Sequence, residues 1–281
     1  MQLANGAYSV HSSVYRETFH PVIGPEAEAE ALYVTQAHLV DRFRKHSGEF
    51  VIWDVGLGAA ANPIVVLKAL CELQGAIRII SFDKSVEPLR FALAHADRLS
   101  YLRGFERPLE DLLKQKGVQL KVGGVFVHWE LWLDDFPTLL AAPTAQVLPK
   151  PHLILFDAYS PARNPEMWTQ RLFSRLYRHL DSGRPCVLPT YSRSTMLRVS
   201  LLLAGFFVGA GHATGEKEET TIAANTPELI AEPLDRKWLM RARRSSSAEP
   251  LSEPRYRQAR LAATTWERLV EHPQFKTHAA G

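Results

Sequence analysis

The sequence has little of what marks a membrane, disulfide or metal protein. Its 281 residues include two cysteines, Cys71 and Cys186, each inside an apolar segment and neither with a partner at CxxC spacing. A disulfide scaffold and a zinc module are therefore not expected, and both cysteines read as core residues. The eleven histidines are scattered, with no HExxH and no pair four residues apart, so no metal is expected. The longest apolar run, Val199 to Gly211, falls short of the roughly 20 residues that a membrane-spanning helix needs. The N-terminus also lacks a basic stretch followed by an apolar one. These absences predict a soluble, non-exported, cytoplasmic protein with no membrane partner. Glycine and proline, at 16 and 18, are too few for a collagen-like or wholly disordered chain, and 46% hydrophobic residues can form a sizeable core.

The net charge of +3 is unevenly spread. From Glu232 to Gly281, ten Lys/Arg face six Asp/Glu, a balance of +4 that leaves −1 for residues 1–231. A basic tail admits an anionic partner such as RNA, and a solvated tail has the same composition. Arg241 to Pro254, rich in Ser, Arg and Pro, reads as a linker, and Tyr256 to Val270 carries helical periodicity. The expected division is an N-terminal extension (1–49), a central domain (50–231) and a basic C-terminal tail (232–281).

The central domain alternates short apolar strands with amphipathic helices, the pattern of an α/β sheet covered on both faces. Strands are expected at Phe50 to Val55, Ile77 to Phe82, Val125 to Trp132, His152 to Phe156 and Cys186 to Thr190. Phe206 to Val208 and Thr220 to Ala224 read as a final antiparallel pair. Helices are expected at Pro63 to Leu73, Glu87 to about Leu102, Pro165 to about Leu180 and Thr195 to Leu203, with Asn164 as a possible N-cap.

Between the first strand and first helix lies Gly56-Leu57-Gly58-Ala59-Ala60-Ala61-Asn62, and the second strand ends at Asp83, 27 residues after Gly56. A glycine turn exposes backbone to a ligand at a helix N-terminus, and an acid ending the second strand can grip ribose hydroxyls. Both features suit a nucleoside cofactor. Gly56-x-Gly58-x-x-Ala61 even satisfies the dinucleotide fingerprint. Asp54, two residues before the loop, argues against that ligand because a carboxylate repels pyrophosphate. S-adenosylmethionine carries an ammonium and a sulfonium without phosphate, so an acidic lining of Asp54, Asp83 and Asp135 suits it better. Each acid also has a structural alternative: Asp83 as a helix N-cap, Asp54 as a brace for the loop.

Two strings carry a resemblance. Asp54-Val-Gly-Leu-Gly-Ala-Ala-Ala-Asn62 and Leu155-Phe-Asp-Ala-Tyr-Ser-Pro-Ala-Arg-Asn-Pro-Glu-Met-Trp-Thr169 resemble the methyltransferase domain of the MnmC family. Tyr191-Ser192, Ala204-Gly205-Phe206 and Gly215-x-Lys217-x-Glu219 follow in order, so the likeness covers roughly residues 50 to 225. It implies a Rossmann-like class I S-adenosylmethionine-dependent methyltransferase with a mostly parallel seven-stranded sheet and an antiparallel edge strand. It further implies methylation of a 5-aminomethyl group on the wobble uridine of tRNA. The flavin oxidase domain of the bifunctional members does not fit in this chain, which suggests the stand-alone form.

Carried over position by position, the family implies that Gly56 and Gly58 cradle the methionine side and Asn62 begins the helix. Asp83 would hold the ribose, Asp135 and Phe136 the adenine, and Asp157 would stand at the methyl-transfer centre. Three positions depart from the pattern. Ala60 stands where Gly is usual, Asp157-Ala158-Tyr159 replaces Asp-Gly-Phe, and Asp134 replaces the Gly before the adenine acid. Tyr159, Asn164, Trp168, Tyr191 and Lys217 are candidates for the acceptor side. Trp168 reads more readily as a helix residue covering the sheet than as a base-stacking platform, Asn164 reads also as a helix cap and Lys217 as a solvated hairpin charge. The leading expectation is thus a tRNA-directed methyltransferase. The alternatives are a same-fold methyltransferase of a small amine or another nucleic acid, and a non-catalytic S-adenosylmethionine-binding module.

Overall fold

The computed structural model describes residues 1–213 and 219–276. The chain opens with a short antiparallel pair, β1 (His11–Ser12) and β2 (Glu17–Thr18). Helix Pro25–Ala29, a π-helical turn Glu30–Thr35 and helix Leu39–Lys45 follow. The main sheet comprises β3 (Glu49–Val55), β4 (Gly75–Asp83), β5 (Gly117–Val122), β6 (Val125–Leu133), β7 (Leu153–Phe156), β8 (Val187–Thr190), β9 (Phe207–Gly211) and β10 (Thr220–Ala224). Their order is β5-β6-β4-β3-β7-β8-β10-β9. β6, β4, β3, β7 and β8 run parallel, while β5 on one side and β10 and β9 on the other pair antiparallel.

Alternation along the strands sorts their side chains to two faces. Ile52, Ile79, Val127 and Leu155 pack with Ile64, Leu67, Leu89 and Leu112. Val51, Trp53, Ile80 and Phe156 pack on the other face with Trp168, Phe173, Leu197 and Trp238. Each such side chain contributes about 1.5–3 kcal/mol when fully buried, so the helices are held to the sheet chiefly by these two layers.

The sheet has eight strands where seven were expected. The additional strand is β5, whose outward Gln119 and Lys121 give it a polar look suited to an edge. The Gly123-Gly124 turn joins it to β6. Gly123 has φ 57°, and a Cβ there would fall 1.9 Å from the Cys71 carbonyl oxygen, so only glycine fits.

The expected divisions at residues 49 and 231 mark no break in packing. Val10, Leu32, Tyr33, Leu39 and Phe43 belong to one core layer, and Trp238, Leu239, Leu251, Leu269 and Phe275 to the other. The stretch read as a linker, Arg241 to Pro254, begins inside a helix, Arg236–Arg244, capped by the Asp235 carboxylate accepting from the Trp238 amide at 2.7 Å. Leu251, fully buried, bridges to Thr169. Polar composition concealed this segment because its apolar anchors are few and spaced by charged residues. Arg243 lies over the Trp266 ring at 4.7 Å, so part of the tail's positive charge serves its own packing. The helix expected over Tyr256 to Val270 is shorter, Ala263–Val270, and a last helical turn, Pro273–Lys276, follows it. The helix expected from Pro165 is instead a 3-10 turn, Pro165–Trp168, then helix Gln170–His179 capped by Thr169.

Candidate active site

Loop 56–60 carries the chain from β3 into helix Ala61–Leu70. Gly56 has φ 98°, and a Cβ on it would lie 2.8 Å from the Asp157 carbonyl oxygen. The glycine therefore lets the ends of β3 and β7 meet. Gly58, at φ 52°, would put a Cβ 3.0 Å from the ring of Phe19. The N-terminal segment, as well as any ligand, thus limits the side chain at 58. The Gly58 amide donates to Asp83 Oδ2 at 2.9 Å and the Ser85 amide to Asp83 Oδ1 at 3.1 Å. Asp83 thereby ties the ends of β3 and β4 together rather than capping the next helix, which starts at Glu87. Burial raises its carboxyl above the usual range, against the lowering effect of these hydrogen bonds.

A cavity of about 780 Å³ opens over the C-terminal ends of β3, β4 and β7, within the range of small-molecule sites. Gly56, Gly58, Asn62, Asp83 and Phe136 line it, as do Asp157, Tyr159, Asn164 and Tyr191. Asp157 Oδ2 accepts from Asn62 Nδ2 at 2.8 Å, a link between the helix after the loop and the end of β7. Tyr191 donates to the Ala158 carbonyl at 3.0 Å. Asn164 makes no side-chain cap.

Three predicted residues do not line the cavity. Asp54 is fully buried beneath the loop, where Oδ2 accepts from Ser81 Oγ at 2.6 Å and Oδ1 has no partner. Burial pushes its carboxyl up to about 7; the Ser81 hydrogen bond opposes this, and the charges of Asp83 and Asp157 add to it. It ties β3 to Ser81 of β4, which also accepts from Trp129 Nε1 at 2.9 Å. Asp135 caps the turn Phe136–Leu139, accepting from the Thr138 amide at 3.1 Å, and pairs with Lys84 at 2.6 Å. Burial works against it, yet the Lys84 and Thr138 hydrogen bonds keep its carboxyl below the usual range. Its neighbour Asp134 lines the cavity instead. Trp168 is fully buried and donates from Nε1 to the Tyr159 carbonyl at 2.7 Å, which makes it a support for Tyr159. Lys217 lies outside the described residues.

Sequence reasoning missed the cavity's other wall, a strap formed by residues 9–28. Tyr15 stacks on Tyr159 with ring centres 3.9 Å apart, and Phe19 meets the same ring edge-on at 5.5 Å. The Glu17 carboxylate accepts from the Ser160 amide at 3.0 Å and from its hydroxyl, latching the strap to the turn after β7. His20, at φ 46°, is 3.5 Å from Asp157 Oδ2 and 3.9 Å from Glu28 Oε1. No periodicity or motif marks these residues, since their positions follow from long-range contacts.

The lining is strongly acidic. Glu17, Glu28, Asp83, Glu87, Asp134 and Asp157 all contribute, and among the described lining residues Lys84 is the one Lys or Arg. Its ammonium is already engaged by Asp135 and Glu166, at 2.6 and 3.0 Å. Such a wall favours cationic ligands and disfavours phosphate.

Comparison with known proteins agrees with this geometry. A family described as S-adenosyl-L-methionine-dependent methyltransferase matches residues 106–226. The class is thereby defined: the chain is an S-adenosyl-L-methionine-dependent methyltransferase. The tRNA 5-methylaminomethyl-2-thiouridine biosynthesis bifunctional protein MnmC of Aeromonas hydrophila is 32% identical over 212 residues, covering 69% of this chain and 30% of that protein. The protein of the same name from Methylibium petroleiphilum is 29% identical, covering 80% of this chain and 34% of its own length. Over most of its length the chain is thus similar to proteins of the MnmC name. It spans about a third of the length of these curated relatives. In fold it matches the crystal structure of MNMC2 from Aquifex aeolicus, with a TM-score of 0.70 at 22% identity over 96% of this chain and 82% of that one. Among the described residues no helix is long and apolar enough to cross a membrane, and no cluster of three metal-ligating side chains occurs.

Proposed function

We propose that this chain methylates the aminomethyl nitrogen on the wobble uridine of tRNA, an activity that belongs in the cytoplasm with its substrate. The observation carrying the reading is the acid-walled cavity that Asp157 lines, together with the tRNA-modifying names of the relatives.

The residues present suit S-adenosylmethionine. Asn62 Oδ1 is buried without a hydrogen-bond partner, so it can accept from the ammonium of a methionine moiety, and the acidic wall complements its positive charge. Gly56 and Gly58 would flank that moiety, Asp83 would accept from the ribose hydroxyls, and Phe136 would pack on the adenine. Asp134, which lines the cavity where Asp135 does not, would accept from the exocyclic amine. When bound, the cofactor supplies an electrophilic methyl group.

An alkylamine is mostly protonated at neutral pH and must lose a proton before its lone pair can attack. Asp157, fixed by Asn62, accepts a hydrogen bond from the acceptor nitrogen and orients it. Tyr159 and Tyr15 offer stacked aromatic faces at the same wall, suited to a nucleobase. Asn164 and Tyr191 complete the acceptor side.

A labelled-methyl assay on tRNA bearing 5-aminomethyl-2-thiouridine, run beside small amines and unmodified RNA, tests the reading. Transfer to the modified tRNA supports it, and transfer only to small amines or to other RNA moves the activity to another acceptor. Calorimetric binding of S-adenosylmethionine without transfer to any of them would leave a binding module. Asp157→Asn keeps an acceptor oxygen for Asn62, so cofactor binding should survive while turnover falls by about 10² to 10⁴.

A further inference from the structure

We infer that His20, carried on the N-terminal strap, is a positioning residue that takes up the proton lost by the amine acceptor at Asp157. The inference rests on the reading of this cavity as a site of methyl transfer to an amine. His20 Nε2 stands 3.5 Å from Asp157 Oδ2, the oxygen that Asn62 also holds, and Nδ1 stands 3.9 Å from Glu28 Oε1. Both His20 and Glu28 are buried, 8% and 4% exposed, inside the cavity wall. The buried imidazole thus stands between two carboxylates. Once protonated, the ring is neutralised from both sides, so the wall can store a proton without exposing it to the incoming substrate.

The proton balance is simple. An ammonium N–H bond of the acceptor breaks, and its electron pair stays on nitrogen as the lone pair that is methylated. The proton passes by way of Asp157 Oδ2 to His20 Nε2, forming an N–H bond there, and leaves later to water at the cavity mouth. Titratable groups from several elements surround this exchange. They include Glu17 and Glu28 from the N-terminal segment, Tyr33 from the π-helical turn, Asp83 at the end of β4, Asp157 and Tyr159 after β7 and Tyr191 after β8. Burial and the nearby carboxylates, Asp157 among them, raise Tyr33 and Tyr191 well above their usual range, so they stay protonated and do not compete for the proton.

His20 adopts φ 46°, a left-handed conformation that asparagine tolerates. His20→Asn is therefore the variant of choice, with His20→Gln as a second. Two measurements test the inference on the full chain. First, the imidazole of His20 is titrated by NMR without substrate. Its midpoint should fall by about one pH unit or more in Asp157→Asn, because a carboxylate neighbour is lost; an unchanged midpoint overturns the coupling. Second, single-turnover methyl transfer to 5-aminomethyl-2-thiouridine tRNA is followed across pH. His20→Asn should lose about 10²-fold in rate at neutral pH and shift the acid limb of the profile, with S-adenosylmethionine affinity unchanged. An active parent whose variants keep both rate and profile refutes the role of His20 alone. A parent that methylates no amine refutes the functional reading and the inference together.

Discussion

Replacing Asp54 with Asn tests whether a buried acid under the cofactor loop sets the pH dependence of stability. Asp54 has no exposed surface, one oxygen bound by Ser81 and the other without a partner. Burial raises its folded-state value from 3.8 to about 7. In the unfolded chain the carboxyl ionises near 3.8, so between pH 4 and 7 the folded state binds the extra proton. Stability from this group is therefore fully present at low pH and declines as pH rises towards 7. A difference of roughly three pH units, at 1.36 kcal/mol each, sets an upper limit of about 4 kcal/mol. Asp54→Asn keeps an acceptor for Ser81 and removes the ionisation. Urea unfolding at pH 5, 6, 7 and 8 should show the parent losing stability relative to the variant by a sizeable part of that figure. Parallel curves for the two proteins would mean that Asp54 ionises in the folded state as freely as in the unfolded one.

The remaining predictions concern the loop and its partners. Asp83→Ala should weaken S-adenosylmethionine binding by about 1.5–3 kcal/mol in calorimetry, the range for hydrogen bonds to a charged group; unchanged affinity would reduce Asp83 to its contacts with Gly58 and Ser85. Gly56→Ala would drive a methyl group to within 2.8 Å of the Asp157 carbonyl oxygen at φ 98°. It should cost about 2–4 kcal/mol in urea unfolding, and a neutral result would contradict the close approach of β3 and β7. Ala60 holds φ 63°, so Ala60→Gly should raise stability by up to about 1 kcal/mol in the same assay; a loss would mean that the alanine methyl, fully buried, contributes more through packing than it costs in backbone strain.

The sequence by itself determined the local features. Gly56, Gly58 and Asp83 lie where a strand-turn-helix-strand pattern puts them, and β3, β4 and β7 read directly from their apolar runs because parallel central strands are buried on both faces. The motif around Asp157 was legible for the same reason, since it ends a central strand. What depends on long-range contact was not. Asp54 and Asp135 look like lining acids in sequence, yet one lies under the loop and the other is consumed by Thr138 and Lys84. Which neighbour of a strand end turns inward is decided by backbone direction at that end, so Asp134 and not Asp135 reaches the cavity. The strap with Tyr15, Glu17, Phe19 and His20 became part of the site only through the Glu17–Ser160 latch and the stack on Tyr159. The tail likewise became core only because Trp238, Leu251 and Leu269 found an apolar face to cover. Periodicity records which way a residue faces within its own element, whereas the partner it meets is set by chain closure over more than a hundred residues, such as the 143 that separate Glu17 from Ser160.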